Sequence, residues 1–183
     1  MALTKTPVCD FGKPAPDFRL LGVDGKHYSL ADCTLKNGVL VMFICNHCPY
    51  VKAILPRLLE DAKNLQNEQI GCVAILSNDP TDYPEDSYKN MQLIAKEMDF
   101  SFPYLLDETQ EVAKAYGAVC TPDFFGYNSN LKLQYRGRLD ESGIKPAPLG
   151  AKRELVEAMK LVATTGKGPK EQVASQGCSI KWK

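Results

Sequence analysis

Apolar residues follow two different spacings along this chain. Residues 39–44 are six apolar residues in succession, Val39-Leu40-Val41-Met42-Phe43-Ile44, and residues 70–77 (IGCVAILS) form a second such run. Short unbroken apolar runs between turn residues predict strands buried on both faces. Between them Val51, Ile54, Leu55, Leu58 and Leu59 recur at helical spacing, which predicts a long helix over about 50–66 with a kink at Pro56. Upstream, residues 17–30 hold Asp24-Gly25 between two apolar stretches, a hairpin signal, and residues 1–16 read as a lead-in segment without periodicity. Downstream, the polar stretch 78–87 ends in Asp86 or Ser87, a cap for a helix over 88–98. A short strand at 103–106 and a helix at 109–116 closed by Gly117 come next. Residues 122–127 and 131–136 flank the turn Asn128-Ser129-Asn130, and residues 151–163 form a last amphipathic helix with Leu155, Val156, Met159 and Val162 on one face. Strands alternating with helices and ending in a hairpin predict an α/β fold, a mixed sheet between helical layers.

Composition narrows the function. The 183 residues suit one domain, with a core at about 12–163 and a tail at 164–183 that reads as mobile. Lys plus Arg equals Asp plus Glu at 22 each, and no basic stripe or long apolar segment is present, so neither a nucleic-acid partner nor a membrane is expected. The first residues lack the apolar core of a signal peptide, and a cytoplasmic location is expected.

The seven cysteines, Cys9, Cys33, Cys45, Cys48, Cys72, Cys120 and Cys178, are odd in number and scattered. That is no disulfide framework, and in a reducing cytosol most should remain thiols. Cys45 and Cys48 are different, because their Cys-x-x-Cys falls where the first buried strand hands over to the long helix. The first amides of a helix lack partners and, with the helix dipole, favour a negative charge placed there. Pro49 suits the first helical turn, so Cys48 falls at or next to the N-cap. Its thiol pKa should drop from roughly 8.5 toward roughly 3.5–7.5, which makes it a nucleophile at neutral pH. His47 reads either as a base, or a promoter of the thiolate when protonated, or as a solvated loop residue. Two other readings of this stretch are a pair of inert thiols and a zinc or copper site built from Cys45, His47, Cys48 and Cys120. His27 reads as a surface residue, Cys72 as core, and Cys9 and Cys33 as inert. Asn78 and Asp79 read as the start of a turn, and Trp182 as a ring that docks the tail by burying itself.

Three stretches carry a resemblance. FICNHCPYVKAILP resembles the strand–active-site–helix unit of the thioredoxin-fold superfamily, and YGAVCTPDFFGYNSNLKLQYRG resembles its segment with a cis-proline and last hairpin. The closing GCSIKWK is similar to tails of peroxiredoxin-like proteins. The chain thus resembles the AhpC/TSA, redoxin and TlpA-like branch, and this implies a thioredoxin-like fold, a central mixed β-sheet flanked by helices, with an N-terminal β-hairpin extension. Cys48 lies five residues after Phe43 and eight before Pro56, which matches the family's nucleophile, whereas the family's second cysteine position falls on Val51. The peroxiredoxin pattern has a Thr or Ser three before its peroxidatic Cys; here that residue is Cys45, and the peroxide-orienting hydroxyl is absent. Pro122 matches the cis-proline facing the site, and Thr121 would offer its backbone to an extended substrate.

The resemblance implies a thiol–disulfide oxidoreductase in which Cys48 forms a mixed disulfide with a substrate held by Thr121, Pro122, His47 and Pro49. Cys45 or Cys120 is expected to resolve it, with Cys178 a third candidate. The substrate would be a protein or small-molecule disulfide, the reductant a thiol such as thioredoxin or glutathione, and no cofactor is expected. A thiol-dependent peroxidase with an antioxidant role, Cys48 being peroxidatic, is the first alternative. A non-enzymatic binding or metal-carrying module is the second.

Overall fold

The computed structural model describes residues 3–7 and 10–183; Cys9 lies outside them. In chain order the elements are β1 (Leu3–Lys5), β2 (Arg19–Gly22), β3 (His27–Ser29), α1 (Leu30–Cys33), β4 (Val39–Phe43), α2 (Pro49–Asn67) and β5 (Gly71–Leu76). A short 3-10 turn at Pro84–Asp86 leads into α3 (Tyr88–Glu97), followed by β6 (Tyr104–Leu106), α4 (Glu111–Tyr116), β7 (Cys120–Thr121), β8 (Asp123–Tyr127), β9 (Leu133–Tyr135), α5 (Glu154–Thr165) and β10 (Gln176–Ser179).

β4 is central because its sequence allows nothing else. All five of its residues are buried, so it needs cover on both faces. It pairs in parallel with β5 on one side and antiparallel with β8 on the other, within a seven-stranded sheet ordered β3-β2-β6-β5-β4-β8-β9. Side chains alternate across this sheet. Leu40 and Met42 join Leu58 of α2 and Leu155 and Met159 of α5 in one apolar cluster. Val39, Val41 and Phe43 join Leu30, Ala113, Tyr116 and Phe125 in the other. The expected mixed sheet between helical layers is therefore present, and the Asp24-Gly25 hairpin of β2 and β3 extends it at one edge.

Local signals work as their chemistry requires. Cys48 is the N-cap of α2 with Pro49 in its first turn, and Gly117 closes α4 in a left-handed conformation at φ +67°. Pro56 lies inside α2, which continues through it as one helix. Ser87 holds the N-cap position of α3, without a side-chain bond to the helix amides, and Asp86 is buried, so the choice between them falls to Ser87. One short helix, α1, escapes the periodicity reading, since its four residues are held mainly by a Ser29–Asp32 capping box.

The two ends of the chain depart most from expectation. The lead-in segment forms β1, and the tail read as mobile forms β10, in a second sheet ordered β1-β10-β7. Ile180 anchors the tail and is 3% exposed, while the Trp182 ring expected to do so remains 43% exposed. Among the described residues no helix is long and apolar enough to cross a membrane.

Leu58 faces β4 from α2 and is fully buried. Leu58→Ala should lower stability by about 2–5 kcal/mol. Urea unfolding at constant m-value measures it, and a loss well below 1 kcal/mol would show that α2 does not close the core as described.

Candidate active site

Register puts the site together. The last residue of β4, Phe43, pairs with Asp123, the first of β8. Whatever follows β4 must then lie beside whatever precedes β8. Residues 45–48 follow the one; Thr121 and Pro122 precede the other. The peptide between Thr121 and Pro122 is cis, as the sequence leads one to expect. Cys48 Sγ lies 3.2 Å from the Thr121 carbonyl oxygen, and Cys45 Sγ lies 3.1 Å from Thr121 Oγ1.

The Cys48 thiol is pulled down from its ordinary 9.0 to about 4. The first cause is a hydrogen bond from the Cys45 thiol; burial opposes it, and the Cys178 thiol and the Val51 and Cys178 amides add to the lowering. Val51 belongs to the first turn of α2, so the helix start contributes as a helix start should. The Cys45 thiol moves the other way, held well above the ordinary value by burial and by its bond to Cys48. These opposite shifts make one donor chain: the Thr121 hydroxyl can donate to Cys45, and the Cys45 thiol donates to the Cys48 anion. Cys48 in its thiol form can donate to the Thr121 carbonyl, but the anion draws no support there.

The expected site residues are not equal in the structure. Cys45, Cys48, Thr121 and Pro122 come together, and Pro49 opens the helix with its own surface exposed. Cys120 is near but turned, with its Sγ 3.6 Å from the Pro122 carbonyl oxygen and its thiol pushed up by burial. His47 is not a solvated loop residue. Its ring is buried and stacks on Tyr83 at 4.2 Å between centroids. Thr121 does offer its backbone for strand pairing, yet within this chain its partner is Cys178 of β10. Cys33 and Cys72 are held at about 12 by burial, as inert thiols should be.

Asp86, one of the two cap candidates, has another role. Its Oδ1 accepts from the Asn46 and His47 amides at 2.8 and 3.2 Å. Its Oδ2 accepts from His47 Nδ1 at 2.6 Å and from Asn78 Nδ2 at 2.8 Å. One buried carboxylate thereby fixes the loop between the two cysteines. Asn78, read as a turn residue, has a second role, since its Oδ1 accepts from the Lys181 amide of the tail at 2.9 Å. One acidic residue among the four of the polar stretch 78–87 gives no sequence signal for such reach across the fold.

Ligand atoms of Cys45, His47 and Asp86 lie within 4.8 Å of one another. The Asp86 oxygens already hold four donors, which leaves this trio poorly disposed for a cation. The alternative zinc or copper set also needs Cys120, whose sulfur faces the Pro122 carbonyl instead.

A sheet with helices on both faces, and a cysteine at the strand-to-helix junction beside a cis-proline, define a thioredoxin-like protein. The chain belongs to the AhpC/TSA family, whose model matches residues 11–141. A curated relative, "Thiol-disulfide oxidoreductase ResA" of Bacillus thuringiensis subsp. konkukian, is 30% identical over 130 residues, 71% of this chain and 70% of that one. A crystal structure of an uncharacterized conserved protein from Geobacillus kaustophilus matches with TM-score 0.93 and 43% identity, covering 100% of this chain and 97% of that one. The thioredoxin domain of a thiol-disulfide oxidoreductase from Bacteroides vulgatus matches with TM-score 0.58 and 19% identity, over 70% of this chain and 89% of that one, which speaks for the fold alone.

Three outcomes follow from this electrostatic arrangement. The ultraviolet absorbance of the Cys48 thiolate should titrate with a midpoint near 4 and vanish in Cys48→Ser. Cys45→Ala should move that midpoint upward, by removing the leading donor; an unmoved midpoint would exclude the Cys45 bond as the cause. Because the folded value is depressed, the ionised thiol adds stability that is complete above 9.0 and is lost as pH falls through about 4. Reduced wild-type protein should therefore lose more stability than Cys48→Ser on acidification across that window.

Proposed function

We propose that the protein is a thiol–disulfide oxidoreductase with Cys48 as its nucleophile. The observation that carries this is the Cys48 sulfur at the start of α2, beside the cis-proline segment and 3.0 Å from a second thiol sulfur. The AhpC/TSA membership and the relatives named thiol-disulfide oxidoreductase support the same chemistry.

In this reading the thiolate attacks one sulfur of a substrate disulfide, forms a mixed disulfide and expels the other sulfur as a thiolate. A second thiol of the protein then attacks Cys48 and frees the reduced substrate. Cys45 is adjacent and is one candidate for that step; Cys120 would first have to turn from the Pro122 carbonyl. A groove of about 580 Å³ flanks Pro122 between Tyr50 and Ile54 of α2 and Arg138, and gives a substrate chain apolar surface beside the reacting centre. An external thiol such as thioredoxin or glutathione, in the reducing cytosol, would return the enzyme to its dithiol form.

The peroxidase alternative is weaker on geometry. The hydroxyl near the site, Thr121 Oγ1, bonds Cys45 rather than the nucleophile.

Cys48→Ser should abolish turnover of a disulfide substrate in a thiol-coupled reduction assay, a loss of at least about a hundredfold, as for nucleophile removal in covalent catalysis. Full activity in that variant would end the proposal. Stopped-flow oxidation of Cys48 should be slower with hydrogen peroxide than with an activated disulfide.

A further inference from the structure

Cys48 is fully buried, with 0% of its surface exposed. A nucleophile in that state cannot meet a disulfide from solution unless something moves. The tail lies directly against it. β10 pairs antiparallel with β7, with Cys178 opposite Thr121 and Ser179 opposite Cys120. This is the backbone edge, next to the cis-proline, that an extended substrate would use. The register also delivers a sulfur, since Cys178 Sγ lies 3.0 Å from Cys48 Sγ. Bond formation needs an S–S separation of about 2.05 Å, a contraction of roughly 1 Å.

The close approach depends on Gly177. A Cβ there would sit 2.0 Å from the Thr121 carbonyl oxygen and 3.0 Å from Pro122 Cδ. The strand is held at both ends. Ser175 Oγ donates to the Pro122 carbonyl at 2.8 Å, and the Ile180 amide donates to the Val119 carbonyl at 3.1 Å. The Lys181 carbonyl accepts from the Asp79 amide at 2.8 Å and from Gln110 Nε2 at 2.7 Å.

We propose that Cys178 is the resolving thiol of Cys48, presented by β10 from the position of a substrate segment, so that an external disulfide reaches Cys48 only when β10 lifts from β7. This rests on the thiol–disulfide reading above and names the second sulfur of that chemistry. Cys48 thiolate attacks R–S–S–R′, giving Cys48–S–S–R and R′S⁻. β10 returns, Cys178 gives up its proton to R′S⁻ or solvent, and its sulfur attacks Cys48 Sγ. RS⁻ leaves, and a Cys48–Cys178 disulfide remains. Two protein thiols have become one disulfide, and two electrons have gone to the substrate. The timing has a physical cause. Burial, and then the hydrogen bond and charge of Cys48, hold the resting Cys178 thiol up at about 12, against the pull of Lys181. Once Cys48 is in a mixed disulfide its charge and acceptor role are gone, and Cys178 becomes easier to ionise when it is needed.

The test is peptide mass mapping of full-length protein after oxidised glutathione treatment and acid quenching, with fragment ions assigning Cys45 and Cys48. Wild type should yield a peptide linked through Cys48 and Cys178. Cys178→Ser should lose that peptide and accumulate glutathionylated Cys48. A Cys45–Cys48 disulfide in wild type, or equally fast release of glutathione in Cys178→Ser, would overturn the assignment while leaving the oxidoreductase reading intact. Absence of any Cys48 disulfide in both proteins would end both readings together. Gly177→Val, which forces β10 off Thr121, should raise the alkylation rate of reduced Cys48 severalfold with the far-ultraviolet spectrum unchanged; an unchanged rate would overturn the lifting step.

Discussion

A buried negative charge on one sulfur is the constraint around which this structure is arranged. Moving an anion out of water is costly unless donors replace the water. Cys48 receives them from the Cys45 thiol, the Cys178 thiol, the first turn of α2 and the backbone of the tail strand. These donors come from segments some 130 residues apart in the sequence. Only the paired strands β4 and β8, and the tail laid across β7, bring them to one point.

The same requirement explains the polar network behind the site. The loop between the cysteines has backbone amides that no strand or helix satisfies, and Asp86 accepts two of them. Buried polar groups are tolerated when they are paired, and here each partner also holds something else. Asn78 links Asp86 to the Lys181 amide, and Tyr104 donates to Asn46 Oδ1 at 2.9 Å. The tail and the reactive loop thus share one set of hydrogen bonds. The tail also places Cys178 Sγ 3.0 Å from the nucleophile.

A buried ion pair, Arg136 with Asp123 at 3.0 Å, sits on the other side of the cis-proline. Asp123 is raised to about 6 by burial, with Arg136 opposing. It secures the start of β8, since the Val119 amide and the Arg136 guanidinium both use its carboxylate. The position of Thr121 and Pro122 therefore depends on β8 at one side and β10 at the other.

Much of this was legible along the chain. The six-residue apolar run of β4, the helical spacing of α2, Pro49 at its start and the Gly117 stop are local signals, and local signals act through backbone geometry and burial of neighbouring residues. They place Cys48 at a helix start, where an anion is favoured. Asp86 and Asn78 carried no signal for these roles, and Cys178 stood only as a third candidate for the resolving thiol. Each acts on groups far away in sequence, and a glycine-cysteine pair in a lysine-rich tail looks the same whether it is mobile or paired. Strand register across β4, β8, β7 and β10 decided which sulfurs meet, because the energy of a buried charge depends on which donors surround it in space, and sequence order does not contain that distance.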